Sequence, residues 1–381
     1  MNDITIDKTG WKKYRFDEVC RQVNEATKDP AAEGLDPVIG LEHIEPNNLH
    51  ITQWGTLEKE TTFTRKFKKG QVLFGRRRAY QRKVAYAEFD GICSGDILVF
   101  EAIDEVMLPE LLPFLIQSEG FFQKALETSA GSLSPRTKFK ELADYEFLLP
   151  PKPEQKRIAD LLWSADEMIE KETEISLQLE KQIQLLLINS VSNSNNLLIP
   201  LSSLVYVNPV TKIDVSCVSI VTMQDVSETG FVYTGTKGDP AIFKNKGLTP
   251  FKENDILFAK ITPCMENGKG CIAKGLYNGL GLGSTEFHVL RPIIDSDLYF
   301  CYYLTMSNFF RREAERQMTG SAGQKRAQPE LFDFYKLPIP STEERKIIGK
   351  QLYEIDCIIS KMKERINLSQ QIKQKLINNI L

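Results

Sequence analysis

The feature that most constrains this chain is a long heptad-like stretch that occurs twice, over residues 154–191 and again over 343–381. In the first copy Ile158, Leu162, Ala165, Ile169, Leu179, Ile183 and Leu186 recur in steps of three and four, interrupted by Glu172 and Ser176. In the second, Ile348, Leu352, Ile355, Ile359, Met362, Ile366, Leu376 and Ile380 keep the rhythm, interrupted by Ser369 and Lys373. Such spacing lines apolar side chains along one stripe of a helix, which water disfavours and a partner helix can cover. A helix of about 38 residues is roughly 57 Å long, with more apolar stripe than one small domain can bury. The two copies are therefore predicted to cover each other as an antiparallel coiled coil.

What lies before each helix also repeats. Phe67-Lys68-Lys69-Gly70-Gln71-Val72-Leu73-Phe74 matches Phe251-Lys252-Glu253-Asn254-Asp255-Ile256-Leu257-Phe258, and Ser94-Gly95-Asp96-Ile97-Leu98-Val99 matches Ser284-Thr285-Glu286-Phe287-His288-Val289. The helix with Phe121-Phe122 answers to the one with Phe309-Phe310, Gly131-Ser132 to Gly320-Ser321, and Pro151…Ile158 to Pro340…Ile347, with offsets between 184 and 190. A repeat of that length is a duplicated domain and not a solenoid unit.

The expected fold class is α+β, with two similar mixed α/β domains joined by two long helices. In this reading the domains sit at opposite ends of a rod and are related by a pseudo-twofold. The boundaries read 1–151 for the first domain, 152–192 for the central helix, 193–340 for the second domain and 341–381 for the last helix. Within the first domain, 11–23 opens as a strand or short helix, and 38–44, 70–75, 84–86 and 96–100 read as strands. A helix is expected over 108–126, and the double proline Pro150-Pro151 marks the start of the central helix.

Apolar content of 42% and charged content of 26% are those of an ordinary globular protein. No apolar run reaches 18 residues, so no membrane span is expected. The first residues lack a signal-peptide core. Seven scattered cysteines without a CxxC pair, and three histidines, point to a reduced, cytoplasmic chain with no structural metal. A net charge of −3 decides nothing about partners, so the distribution of charge must.

That distribution is uneven. Between Arg65 and Lys83 stand nine cations and no carboxylate: Arg65, Lys66, Lys68, Lys69, Arg76, Arg77, Arg78, Arg82 and Lys83, with Tyr80 and Gln81 interleaved. Cations so crowded repel one another unless an anion is near, and a phosphate backbone supplies one. Arginine also reads guanine edges bidentately and glutamine reads adenine. Arg136 and Lys138 follow the loop over 131–135. The second domain carries a diluted version in Lys260, Thr262 and Lys269, together with Gln324, Lys325 and Arg326 in a small polar loop. A solvated charged surface would account for such runs as well.

Enzyme signals are weak. Asn208-Pro209-Val210 is not the motif of a base-amino methyltransferase, and no Walker loop occurs. The glycines of Gly268-Lys269-Gly270 and Gly279-Leu280-Gly281-Leu282-Gly283 are expected in loops between strands. A standalone nuclease or modification enzyme, or a coiled-coil scaffold with a basic loop for an acidic partner, remain the competing readings.

The chain resembles the DNA-specificity (S) subunits of type I restriction–modification systems over essentially its whole length. The resemblance rests on the repeated boundary motif, Pro150-Pro151-Lys152-Pro153-Glu154-Gln155-Lys156-Arg157-Ile158 and Pro338-Ile339-Pro340-Ser341-Thr342-Glu343-Glu344-Arg345-Lys346-Ile347. It rests equally on Gly70-Gln71-Val72-Leu73-Phe74-Gly75-Arg76-Arg77-Arg78 with Gly91-Ile92-Cys93-Ser94-Gly95-Asp96 and their second-half echo. It implies two target-recognition domains, each reading half of a bipartite site on double-stranded DNA, with the paired helices as a ruler for the gap. It further implies a non-catalytic chain without its own cofactor. Two methyltransferase subunits would dock on it and supply S-adenosylmethionine chemistry, and restriction subunits carrying a motor and nuclease can join. The second boundary motif departs from the first, so the two docking faces are not expected to be equal.

Overall fold

A computed structural model describes residues 7–57, 62–129, 135–192, 196–226, 235–243, 247–321 and 323–381. They divide into two compact units, Met1–Lys171 with Ile366–Leu381, and Glu172–Arg365.

In the first unit, strands Cys20–Val23, Ile97–Ala102, Val72–Gly75 and Val84–Tyr86 form an antiparallel sheet in that order. Alternation along these strands feeds two separate cores, as a period of two requires. Val72, Phe74, Val84, Leu98 and Phe100 join the helices in one cluster. Leu73, Ala85, Ile97 and Val99 join a second cluster under the smaller sheet. That smaller sheet pairs Gly91–Cys93 in parallel with Val38–Ile39 and antiparallel with Arg65–Phe67. Strands covered on both faces read as continuous apolar runs. Truncating a fully buried ring such as Phe100 would cost about 3–5 kcal/mol.

The second unit repeats the plan, with strands Val205–Val207, Phe287–Pro292, Ile256–Ala259 and Gly270–Ile272 in order. Ile256, Phe258, Ile272 and Leu290 enter its helical core, whereas Leu257, Ala259, Cys271, Phe287 and Val289 enter the other.

Several expectations are corrected. The run 38–44 is strand only at Val38–Ile39 and then turns into the 3-10 helix Leu41–His43. The helix expected over 108–126 is two, Leu112–Gln117 and Glu119–Glu127. Ser118 leaves the helical region (ψ 150°) between them and accepts the Phe121 amide as an N-cap. Ser307 caps Phe310 in the same way, so the two helices correspond, with Phe121 at the place of Phe310 and Phe122 at that of Arg311. Leu280–Gly283 is a strand, not a loop, running parallel to Val218–Val221. Glycine is needed there because a Cβ on Gly281 would lie 2.2 Å from the Phe251 ring.

The long helices run Lys152–Ser190 and Thr342–Ile380. Gln155 donates to the Pro150 carbonyl and Arg345 to the Pro340 carbonyl, so the boundary motifs align at an offset of 190, not 189. In the first unit Ala159 and Leu162 pack in one core with Ile377, and Asp166 meets Lys373. In the second, Glu172 meets Arg365 at 2.6 Å and Glu180 meets Lys363 at 2.7 Å, while Ile183 and Leu187 share a core with Leu352 and Ile359. Rising numbers on one helix meet falling numbers on the other, so each unit holds an antiparallel pair. The supposed interruptions Glu172, Ser176 and Lys373 are buried members of the seam, as are Asp166 and Asp356. Charge is tolerated there because partners compensate it. Among the described residues no helix is long and apolar enough to cross a membrane.

Candidate nucleic-acid interface

The basic run folds so that most of its charge is met from elsewhere in the chain. The Arg65 guanidinium is braced on the carbonyls of Gly95 and Ile97. Lys66 pairs with Glu33 at 2.5 Å, and Lys68 with Glu25 at 3.6 Å. Arg82 binds Glu119 and lies 4.9 Å from the Phe122 ring centroid, a cation–π contact. Lys83 donates to the Leu41 carbonyl at 2.6 Å. Mutual repulsion, which the uninterrupted run implied, is thus relieved by acids and backbone carbonyls distant in sequence. These five residues chiefly shape the support.

What projects is narrower. Arg78 and Arg82 have φ values of 55° and 52°, a left-handed conformation costly for side-chain-bearing residues. They flank the 3-10 turn Ala79–Gln81, in which Gln81 is half-buried and Tyr80 stands 58% exposed. Arg78 is exposed, and its backbone amide donates to the Pro135 carbonyl. Arg77 bridges to Arg136 as an isolated antiparallel pair. Asp96 sits under both, 3.4 Å from the Arg77 guanidinium and 2.7 Å from Arg136 Nε. The hydrogen bond from Arg136 holds the Asp96 carboxyl below its ordinary range, against the effect of burial, and Asp96 in turn raises Arg136. Arg76 is half-buried and donates from Nε to the Thr137 carbonyl at 3.1 Å. Burial lowers its pKa, with Arg65 adding like-charge repulsion. Lys138 is exposed beside this loop.

The second unit rebuilds the same frame. Arg76 and Lys260 donate their amides to the carbonyls of Asp96 and Glu286, and Thr137 and Ala327 donate theirs back to the carbonyls of Arg76 and Lys260. Ile261 bridges to Arg326 as Arg77 does to Arg136, and the Thr262 amide donates to the Lys325 carbonyl as Arg78 does to Pro135. Arg326 grips Glu286 bidentately at 2.8 and 2.9 Å and holds that carboxyl below its usual range. Gln324 and Lys325 are exposed at the tip. Thr262 instead faces inward, its hydroxyl donating to Glu266 at 2.7 Å, and Lys269 donates to the Met223 carbonyl at 3.2 Å. The Gly131-Ser132-Leu133-Ser134 stretch and Ala322 lie outside the described residues.

The structure therefore gathers Arg77, Arg78, Tyr80, Arg136 and Lys138 in one unit, and Gln324, Lys325 and Arg326 in the other. Asp96 and Glu286 were absent from the sequence candidates. They were findable, because both pairs, Asp96/Glu286 and Arg136/Arg326, recur at an offset of 190 with charge type kept.

A family model described as "Type I restriction modification DNA specificity domain" matches residues 8–181 and 210–374. The EcoEI specificity subunit of Escherichia coli is 41% identical over 138 residues, 35% of this chain and 23% of that protein. The EcoAI specificity subunit, also of Escherichia coli, is 39% identical over 140 residues, 36% of this chain and 23% of that protein. The matched stretch thus spans about a quarter of the length of these curated relatives. The solved S subunit of a type I system from M. genitalium shares the fold at a TM-score of 0.61 and 14% identity, over 99% of this chain and 97% of its own. A chain from a study of complex assembly and conformational transition in a type I system gives a TM-score of 0.54 at 16% identity, with 97% of each chain covered. Matched twice over most of its length, the chain belongs to the type I restriction modification DNA specificity domain family.

Proposed function

We propose that this chain is the DNA-reading subunit of a type I restriction–modification complex, each unit recognising one half of a bipartite duplex site. The observation that carries the proposal is the loop frame built twice with the same backbone hydrogen bonds and the same acid–arginine brace, but bearing different side chains, Arg77, Arg78 and Pro135 in one unit where Ile261, Thr262 and Lys325 stand in the other. A fixed frame with variable tips suits readout in which backbone contacts position and side chains specify. In this reading Arg77, Arg78, Tyr80, Arg136 and Lys138 meet the first half-site, while Gln324, Lys325 and Arg326 meet the second. Lys260 lies at the counterpart of Arg76 and would add phosphate attraction. Thr262 and Lys269 serve the frame.

The chain performs no chemistry of its own here. Methyltransferase subunits, two in number, dock on it in the cytoplasm and bring S-adenosylmethionine, and restriction subunits join them. The paired long helices set the gap between half-sites, since linked modules bind together only when their spacing fits the duplex.

Methylome sequencing of a host carrying the chain with its methyltransferase tests this. A bipartite motif is expected, Arg78→Ala should relax one half only, and one heptad inserted in each long helix should change the gap and leave both halves intact. Cleavage or methylation by the purified chain alone would refute the assignment. So would loss of subunit assembly, rather than of one half-site, on removing charge at Arg77 and Arg78.

A further inference from the structure

His288 lies in the strand Phe287–Pro292, in register with Phe258. Its counterpart in the first unit is Leu98, in register with Phe74. His288 is 3% exposed, and its ring stands edge-on to Phe332 at 5.7 Å. Desolvation lowers its pKa to about 4, against the hydrogen bond to Ala327. The charged groups facing it are Lys260, Glu286 and Glu330. The imidazole is therefore neutral near pH 7 and has one donor nitrogen.

Geometry says which nitrogen that is. Nε2 lies 2.9 Å from the Ala327 carbonyl, which can only accept, so Nε2 carries the proton. Nδ1 then accepts from the Asn208 side-chain amide at 3.1 Å. Asn208 is itself fixed, with φ of 50°, its amide donating to the Val289 carbonyl and its Oδ1 accepting from the Val289 amide. An unbroken chain of hydrogen bonds thus runs from Asn208 through His288 to Ala327, the residue after Arg326. In the first unit the equivalent carbonyl, that of Thr137, is held by Arg76 Nε instead.

We infer that His288 is a positioning residue of the second unit, fixing the main chain at Ala327 so that Gln324 and Lys325 are presented to DNA. The first unit uses a cation from the basic strand end for this task. The second uses a neutral ring from the neighbouring strand, which leaves the Lys260 ammonium available to phosphate. The inference rests on the DNA-reading assignment above.

The test uses the full chain assembled with its methyltransferase subunits, and duplexes carrying the two half-sites found by methylome sequencing. Arg78→Ala identifies which half belongs to the first unit. His288→Leu, which imports the first unit's residue, should lower discrimination at the other half-site about tenfold, the scale of one buried hydrogen bond. His288→Gln, which keeps a donor where Nε2 stood, should lie within about threefold of the unaltered chain. Amide exchange at Arg326 and Ala327 should quicken in His288→Leu and recover in His288→Gln. Asn208→Ala gives a second route, with about a threefold loss at the same half-site.

Quickened exchange with unchanged discrimination would overturn the positioning role, as would a His288→Gln chain no better than His288→Leu. If His288→Leu fails to fold, an Asn208→Ala chain that discriminates normally would overturn it too. If the unaltered complex prefers no sequence, the DNA-reading assignment itself falls and takes this inference with it.

Discussion

Asp166 and Asp356 hold corresponding positions on the two long helices, 190 residues apart, yet the two units treat them differently. In the first unit Asp166 is buried against the Lys373 ammonium, itself buried, and its Oδ2 lies 3.2 Å from His50 Nε2. His50 also lies 3.2 Å from Glu88 and 3.4 Å from Glu170. Burial works to raise the Asp166 carboxyl, but His50 and Lys373 overcome it and hold it below its usual range. In the second unit the residue corresponding to Lys373 is Ile183, and Asp356 accepts a hydrogen bond from Tyr303 at 2.7 Å. Burial pushes that carboxyl up, against the Tyr303 hydroxyl and the charge of Lys363. A duplicated frame thus keeps its backbone and its apolar layers while the buried polar groups are re-solved. Gln155 and Arg345 teach the same lesson. Each reaches back to the proline carbonyl before its helix, but Gln155 is otherwise satisfied by the main chain, donating to the Val106 carbonyl and accepting from the Leu108 amide, whereas Arg345 adds a buried bond to Asp297 at 2.6 Å.

The contrast can be broken hardest at Lys373. Lys373→Met takes from buried Asp166 one of its two cations, leaving His50 3.2 Å away, and should destabilise the first unit by about 3 kcal/mol in chemical denaturation, the low end for a broken buried pair. Adding Asp166→Leu should recover part of that loss, since an apolar pair replaces the buried ion pair while His50 keeps Glu88 and Glu170 as partners. Arg345→Met should cost the second unit about 3 kcal/mol, by leaving Asp297 charged and unpaired.

A smaller effect follows pH. The Asp166 carboxylate as hydrogen-bond partner, opposed by burial and aided by Glu170 and Glu88, raises His50 from 6.5 to about 9. A raised histidine stabilises the folded state fully below pH 6.5 and ceases to do so as pH climbs through 9. Stability measured between pH 7 and 9 should therefore fall, and His50→Gln should remove that slope, worth about 1–2 kcal/mol after allowing for the exposure of Glu88 and Glu170. The smallest change is expected from Asp356→Asn. Its charged form is the disfavoured one in the fold, so neutralising it should shift stability at pH 7 by less than about 1 kcal/mol.

The duplication, the boundary prolines and the strands around Val72 and Ile256 were legible because they rest on periodicity and punctuation, which are local. The break at Ser118 was not, since the apolar residues on both sides keep a helical spacing, and although Gly120 weakens the helix there, only the cap at Phe121 shows where the chain turns. The candidate surface was half legible. A run of cations announces itself, but which members project depends on Glu33, Glu119 and the Gly95 and Ile97 carbonyls. His288 carried no signal, because a histidine in an apolar strand looks like any other core residue until Ala327 is seen beside it.

By itself, then, the order of residues determined that this protein has two like halves and two paired helices, because apolar spacing and repeated motifs act over a few turns of chain. Only the tertiary structure decided which charges face one another, for those pairings join residues as far apart as Asp166 and Lys373. Electrostatic and hydrogen-bond energies depend on distance and burial in space, and neither is written in the spacing along the chain.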